Sequence, residues 1–162
     1  MSMGIKKTVF SFALTTMIIA FLPLCILSAS AITSSAKEIG VSGLVALGNS
    51  RSVVLATLGK PDPTKETDYT YTRGACKIFI NFDDKTDLVE SIIVIGLCPK
   101  YTVRGVTSGS TKAEVRKVFG APERSYSYKK SGVECWYYPS RNISFSFKGG
   151  KVASFSVCEC RY

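Results

Sequence analysis

The feature that most constrains this chain is a short pattern that occurs twice. Residues 48–61 read GNSRSVVLATLGKP and residues 109–122 read GSTKAEVRKVFGAP. A single offset, without a gap, matches Gly48 with Gly109, Ser50 with Thr111, Val54 with Val115, Leu58 with Phe119, Gly59 with Gly120 and Pro61 with Pro122. Self-similarity at a fixed spacing points to internal duplication, and units this small rely on their neighbours for a core.

Each copy carries the punctuation of a short amphipathic helix. Thr111 with Glu114 three positions on makes a capping box, in which hydroxyl and carboxylate each accept from an orphan N–H. Ser50 can cap the first copy, but Val53 stands where the acid would be, so that cap is weaker. Val54 with Leu58, and Val115 with Phe119, stand four apart and form an apolar stripe. Gly59 and Gly120 suit the left-handed position after a helix, and a proline two positions on forbids continuation. Helices of two to three turns are unstable alone, so both must pack on a larger surface.

Residues 1–31 belong to a different class. Lys6 and Lys7 form a basic start, Val9 to Leu27 an apolar stretch, and Ala29-Ser30-Ala31 a small-x-small cleavage site before Ile32. This reads as a signal peptide, or as an N-terminal anchor if it stays uncleaved. The protein is therefore expected to be secreted or held in the cell envelope, with a membrane involved only in the uncleaved case. Leu24 stands where a lipoprotein signal needs a small residue, so lipidation of Cys25 is not expected.

Charge and composition narrow the chemistry. Loss of Lys6 and Lys7 takes the net charge from +9 to +7. Residues 102–162 hold 11 basic and 4 acidic side chains, against 6 and 7 in residues 41–98. A basic second half attracts acidic partners at long range. Export and the lack of a basic-aromatic motif argue against nucleic acid. The chain has no histidine, which removes the usual general base and both Ser-His and Cys-His catalysis. Cys158-Glu159-Cys160 is not zinc-finger spacing, so neither a metal nor another cofactor is expected.

Alternating hydropathy predicts strands at 68–71, 76–82, 88–97, 125–128, 135–138, 142–148 and 152–157. Asp83–Asp87, Lys129–Gly132 and Lys148–Lys151 are the turns between them. Residues 32–47 read as a lead-in helix or turn. The strand at 88–97 is apolar on both faces at Ile92–Ile95, which predicts a strand covered on both sides. Asn142-Ile143-Ser144 is a glycosylation sequon, but a place inside a strand argues against its use. The expected fold is α+β: two tandem repeats, at 41–98 and 102–162, each a short helix packed on a three- to four-stranded antiparallel meander.

Five cysteines follow the cleavage site, and export makes disulfides the default. Closing a hairpin at 83–87 brings Cys76 and Cys98 to the same end of one ladder with core-facing parity, so these two are the preferred pair. Cys135, Cys158 and Cys160 share the parity of the polar face. Cys135 with Cys158 or with Cys160 is allowed by face, although the register sets Cys135 toward the other end, and one cysteine is left over.

The stretch Gly109–Val157, a capped helix ending Phe119-Gly120-Ala121-Pro122, then Trp136-Tyr137-Tyr138, an alternating strand and a Gly149-Gly150-Lys151-Val152 hairpin, resembles two families. It is similar to the small outer-membrane assembly lipoproteins of the SmpA/OmlA type, and to a repeat of the β-lactamase-inhibitor-protein-like fold. The tandem arrangement is closer to the latter, which implies two helix-plus-sheet units forming a concave sheet that grips another protein. The first copy departs by carrying Tyr69-Thr70-Tyr71 in place of Trp136-Tyr137-Tyr138.

Trp136 and Tyr138, with Tyr69 and Tyr71, have core parity. Tyr137, Phe79 and Lys77 fall on the opposite face, with Ser144 and Ser146 around them, and form the expected partner-binding surface. Asp83, Asp84 and Asp87 read as a solvated hairpin tip, with a cation site or an acidic finger as the alternative. The expected function is an exported, non-catalytic protein-binding module, with inhibition of a secreted or envelope enzyme as a special case. The alternatives are a membrane-anchored envelope assembly or maintenance factor and a thiol-active protein using Cys158 and Cys160.

Overall fold

The computed structural model describes residues 40–63 and 67–158. The N-terminal segment of residues 1–31 and Cys160 lie outside them. Two helices, α1 (Arg51–Leu58) and α2 (Lys112–Phe119), accompany seven strands: β1 (Tyr69–Arg73), β2 (Cys76–Phe82), β3 (Val89–Gly96), β4 (Arg124–Tyr128), β5 (Val133–Tyr138), β6 (Ile143–Lys148) and β7 (Lys151–Cys158). All seven join in one antiparallel sheet of order β1-β2-β3-β7-β6-β5-β4. The fold is α+β, and the stretches 41–98 and 102–162 share this one sheet, meeting where β3 pairs with β7.

Strict alternation builds the strands. Cys76, Ile78, Ile80 and Phe82 are buried along β2, and Ile143, Phe145 and Phe147 along β6, while the residues between them are half-buried or exposed. Val54, Val115 and Phe119 of the helices join these side chains in one core, with Val41, Leu44 and Val45 of the lead-in turn. Phe119 lies 5.2 Å from Phe145 and 5.7 Å from Tyr138, ring centre to ring centre. Such aromatic contacts contribute beyond the area they bury.

Both helices are fastened at both ends, in the same way. Ahead of α1, Gly48 N–H donates to Val89 O and Val89 N–H to Asn49 O; ahead of α2, Gly109 N–H donates to Val152 O and Val152 N–H to Ser110 O, each at 2.8 Å. After the helices, the Tyr71 hydroxyl donates to Gly59 O and the Tyr138 hydroxyl to Gly120 O, each at 3.1 Å. Burial raises both phenol pKa values, Tyr138 to about 12, so both hydroxyls remain donors. Gly59 (φ 78°, ψ −163°) and Gly120 (φ 81°, ψ −162°) lie in a region open essentially to glycine alone, beyond the ordinary left-handed well.

The helix starts differ as expected. Thr111 and Glu114 form the full capping box, and the hydrogen bonds from Thr111 hold the Glu114 carboxyl below its usual range. Ser50 makes no cap bond; its hydroxyl lies 2.8 Å from that of Ser52.

Three local expectations are corrected. β3 is central, but only one of its faces is covered: Ile92 and Val94 are fully buried, Ile93 is half-buried and Ile95 is 42% exposed. The helices reach only one side of the sheet, so β3 keeps an apolar open face. Asn142 is not inside a strand; it follows the 3-10 turn Pro139–Arg141 with φ 55° and is buried. Ser50 does not cap α1 through its side chain.

The Cys76–Cys98 disulfide is present, with a Cα–Cα distance of 5.0 Å. Gly96, paired with Cys76, has φ 87°, and a β-carbon there would come within 2.1 Å of Ala75 O. The close approach of these two backbones at the bridge thus requires glycine.

Thr111→Ala is expected to cost about 1 kcal/mol in urea denaturation and Ser50→Ala only a few tenths. A carboxyl depressed in the folded state stabilises above its unfolded range and loses that contribution as pH falls through its folded value. The gap between Thr111→Ala and the parent should therefore narrow on titration from pH 7 to below the ordinary glutamate range.

Candidate functional site

The helices cover one face of the sheet. On the other, the cross-strand pairings set Thr70, Phe79, Ile93, Ser156, Ser144, Tyr137 and Arg124 in one row. Thr72, Lys77, Ile95, Ser154, Ser146, Cys135 and Tyr126 form the row beside it. All five residues predicted to bind a partner, Tyr137, Phe79, Lys77, Ser144 and Ser146, lie in these two rows. Phe79 and Tyr137 stand four strand spacings apart, about 19 Å along one row.

The face has three zones. Phe79, Ile93 and Ile95 make an apolar zone on β2 and β3, with Leu97 beyond it 72% exposed. Ser144, Ser146, Ser154 and Ser156 make a hydroxyl strip at the centre, in which the hydroxyls of Ser144 and Ser156 lie 2.9 Å apart. An aromatic cluster closes the β4 side, where the rings of Tyr126 and Tyr137 meet edge-on at 5.7 Å. Arg124, Tyr126, Tyr128 and Tyr137 line a shallow hollow there, with Tyr126 and Tyr128 more than half exposed. The two rows hold Lys77 and Arg124 and no acid.

Arg124, Tyr126 and Tyr128, with Ile93 and Ile95, are additions to the predicted surface. The signal for the first three was legible: closing the turn at 129–132 puts Tyr126 opposite Cys135 and gives Arg124 and Tyr128 the parity of Tyr137.

The cysteines resolve in part. Cys135 is free and buried, so neither of the pairings its face allowed, with Cys158 or with Cys160, is formed. It sits between Tyr126 and Ser146, its sulfur 3.4 Å from the Ser146 hydroxyl. Ser146 in turn faces Ser154, which leaves Cys158 two strands away and four positions further along β7. Cys158 is buried and disulfide-bonded.

The acidic hairpin tip is occupied by its own turn. Asp83 accepts from the N–H groups of Lys85 and Thr86 and from the Thr86 hydroxyl, which depress its pKa. Asp87 accepts from Arg51, whose guanidinium stacks 3.9 Å over Phe82. Among the described residues no group of His, Cys, Asp or Glu could hold a metal ion. On the helix side, Glu134 accepts from Lys112 and from the indole N–H of Trp136, and the Lys112 bond leads in lowering its pKa. That pair ties α2 to β5.

No protein-family model matches the chain, and no curated protein does. Among solved structures, a cysteine-rich secretory protein from Staphylococcus aureus subsp. aureus Mu50 aligns over 76% of this chain and 48% of its own, at 15% identity and a TM-score of 0.51. A DUF4309 family protein from Bacillus subtilis subsp. subtilis str. 168 aligns over 68% of this chain and 78% of its own, at 13% identity and a TM-score of 0.46. The first likeness is one of fold, and this chain spans about half of that protein. Among the described residues no helix is long and apolar enough to cross a membrane. The Cys76–Cys98 bridge is compatible with an extracellular protein.

With Cys135 buried, iodoacetamide should label it slowly in the native protein and rapidly in denaturant, without reductant. Peptide mass mapping should find Cys76 and Cys98 unlabelled under both conditions.

Proposed function

We propose that this protein is an exported, non-catalytic binding module that grips a protein partner with the open face of its sheet. The observation that carries this reading is the make-up of that face. It is uncovered by either helix, edged by half-buried or exposed aromatics on both sides, hydroxyl-rich at the centre, and charged by Lys77, Arg124 and Lys148 with no acid in its two central rows. Rigid aromatics and arginine around adaptable hydroxyls are the residue types that anchor protein interfaces. The positive charge favours a partner acidic where it meets β4 and β5. Inhibition of a secreted or envelope enzyme is the special case in which that partner is a hydrolase and the grip blocks its cleft.

The resemblance to the β-lactamase-inhibitor-protein-like fold supports this reading, and so does duplication, which we infer to have produced both halves. Beyond the helices the equivalence continues, with the offset slightly widened: Tyr71 answers to Tyr138 and Val89 to Val152, each pair making matched hydrogen bonds. At the offset of Val89 and Val152, Ile93 corresponds to Ser156, and these two face one another across the β3–β7 junction. The halves are thus related by a twofold axis at the middle of the open face, which lets both contribute to one binding surface. On this reading β4 is an addition to the second half.

Affinity capture from the producing cell's medium and envelope should retain one dominant protein. Tyr137→Ala with Phe79→Ala should weaken its binding ~10- to 30-fold by surface plasmon resonance, with the far-UV circular dichroism unchanged. The helix-side pair Val53→Ala with Leu55→Ala should change it less than about twofold. Unaltered binding in the first pair would remove the open face as the site.

A further inference from the structure

The two edges of the sheet are finished differently. At the β1 edge, Asp62 closes the strand: its N–H donates to Thr70 O at 2.8 Å, and its carboxylate accepts from Thr72 N–H at 2.7 Å. Pro63 follows, and without an N–H it cannot extend that pairing. In the second half the matching step is made by Glu123, at the same offset as the helices, whose N–H donates to Tyr137 O at 3.1 Å. Arg124 stands in place of Pro63, and the chain runs on as β4. All five β4 residues are exposed, and β4 pairs with β5 alone. Among the described residues, no hydrogen bond closes its outer edge. An open edge strand is a template for another strand.

This edge is complementary to itself. In an antiparallel pairing of two copies centred on Tyr126, Glu123 meets Lys129, Arg124 meets Tyr128, Ser125 meets Ser127, and Tyr126 meets its own copy. Acid faces base, guanidinium faces an aromatic ring, hydroxyl faces hydroxyl, and no like charges are opposed. A shift of the centre to Ser127 would instead set Arg124 against Lys130. We infer that β4 pairs with β4 of a second copy of this chain, as a twofold dimer with a continuous sheet. The axis runs through Tyr126, so the two open faces lie side by side on one surface. A single short strand pair buries less area than a stable obligate dimer needs, so the association is concentration-dependent.

The test is sedimentation velocity on the protein as the producing cell delivers it, from ~1 µM to ~1 mM, with a non-reducing gel to identify any disulfide-linked species. A reversible shift from monomer to dimer is expected. Tyr126→Lys, which opposes equal charges on the axis, and Ser127→Pro should remain monomeric with native circular dichroism. Lys129→Glu and Glu123→Lys should each weaken the dimer roughly tenfold, because symmetry applies each change twice. An equimolar mixture of those two variants should recover it as a heterodimer. Glu123 also accepts from Ser140, so the thermal midpoint of Glu123→Lys is checked alongside. The inference is overturned if the parent stays monomeric throughout, if Tyr126→Lys still dimerises, or if the mixture fails to recover the dimer. A strictly monomeric protein that still captures its partner would overturn this inference alone.

Discussion

A helix of barely two turns does not hold its shape in water, and each of the two helices here depends on a pair of ties to the sheet. One tie joins the residues ahead of the helix to the last strand of its half, through Val89 or Val152. The other joins the glycine after the helix to a tyrosine hydroxyl, from Tyr71 or Tyr138. A helix fixed at both ends has little freedom to choose a face. Its apolar stripe is laid on the aromatics of the sheet, and that covers one side of all the central strands. Among the described residues no third helix lies over the second side.

That bareness explains the composition of the open face. A strand with one dry side and one wet side alternates, and β6 does so almost perfectly, with phenylalanines under the helix and serines above. Where alternation fails, at Ile93, Ile95 and Phe79, apolar surface is presented to solvent without any need of the core for it. The aromatic cluster on β4 and β5 is a departure of the same kind, since Tyr126 and Tyr128 contribute nothing to the buried core. Core packing therefore does not account for these residues.

The helices, the turns and β2 were legible in the sequence because their signals are local: a cap, a glycine, a proline, a strict period of two. The Cys76–Cys98 bridge was legible for the same reason, since hairpin closure and parity suffice to bring both sulfurs together. Cys135 was not, because parity says which face a residue lies on but not how far along a neighbouring strand its partner sits. The strand at Ile92–Ile95 misled for a physical reason: an apolar run on both faces is as compatible with a ligand surface as with a second layer. How the two halves would meet was equally hidden, since the choice of β3 and β7 as neighbours rests on contacts between residues far apart in the chain, such as Ile93 and Ser156.

That junction has a consequence for synthesis. β1, β2 and β3 lie close in sequence and can pair as they emerge, but the partner of β3 on its other side is the last of the seven strands. Until β7 is available, the strand bearing Ile92-Ile93-Val94-Ile95 is an edge, apolar on both faces and unpaired along one side. A chain interrupted before β7 would carry a sticky, half-built sheet, whereas a complete one seals it at the centre. The finished protein closes at its middle the strand edge that is most hazardous during production, and only the final strand can close it.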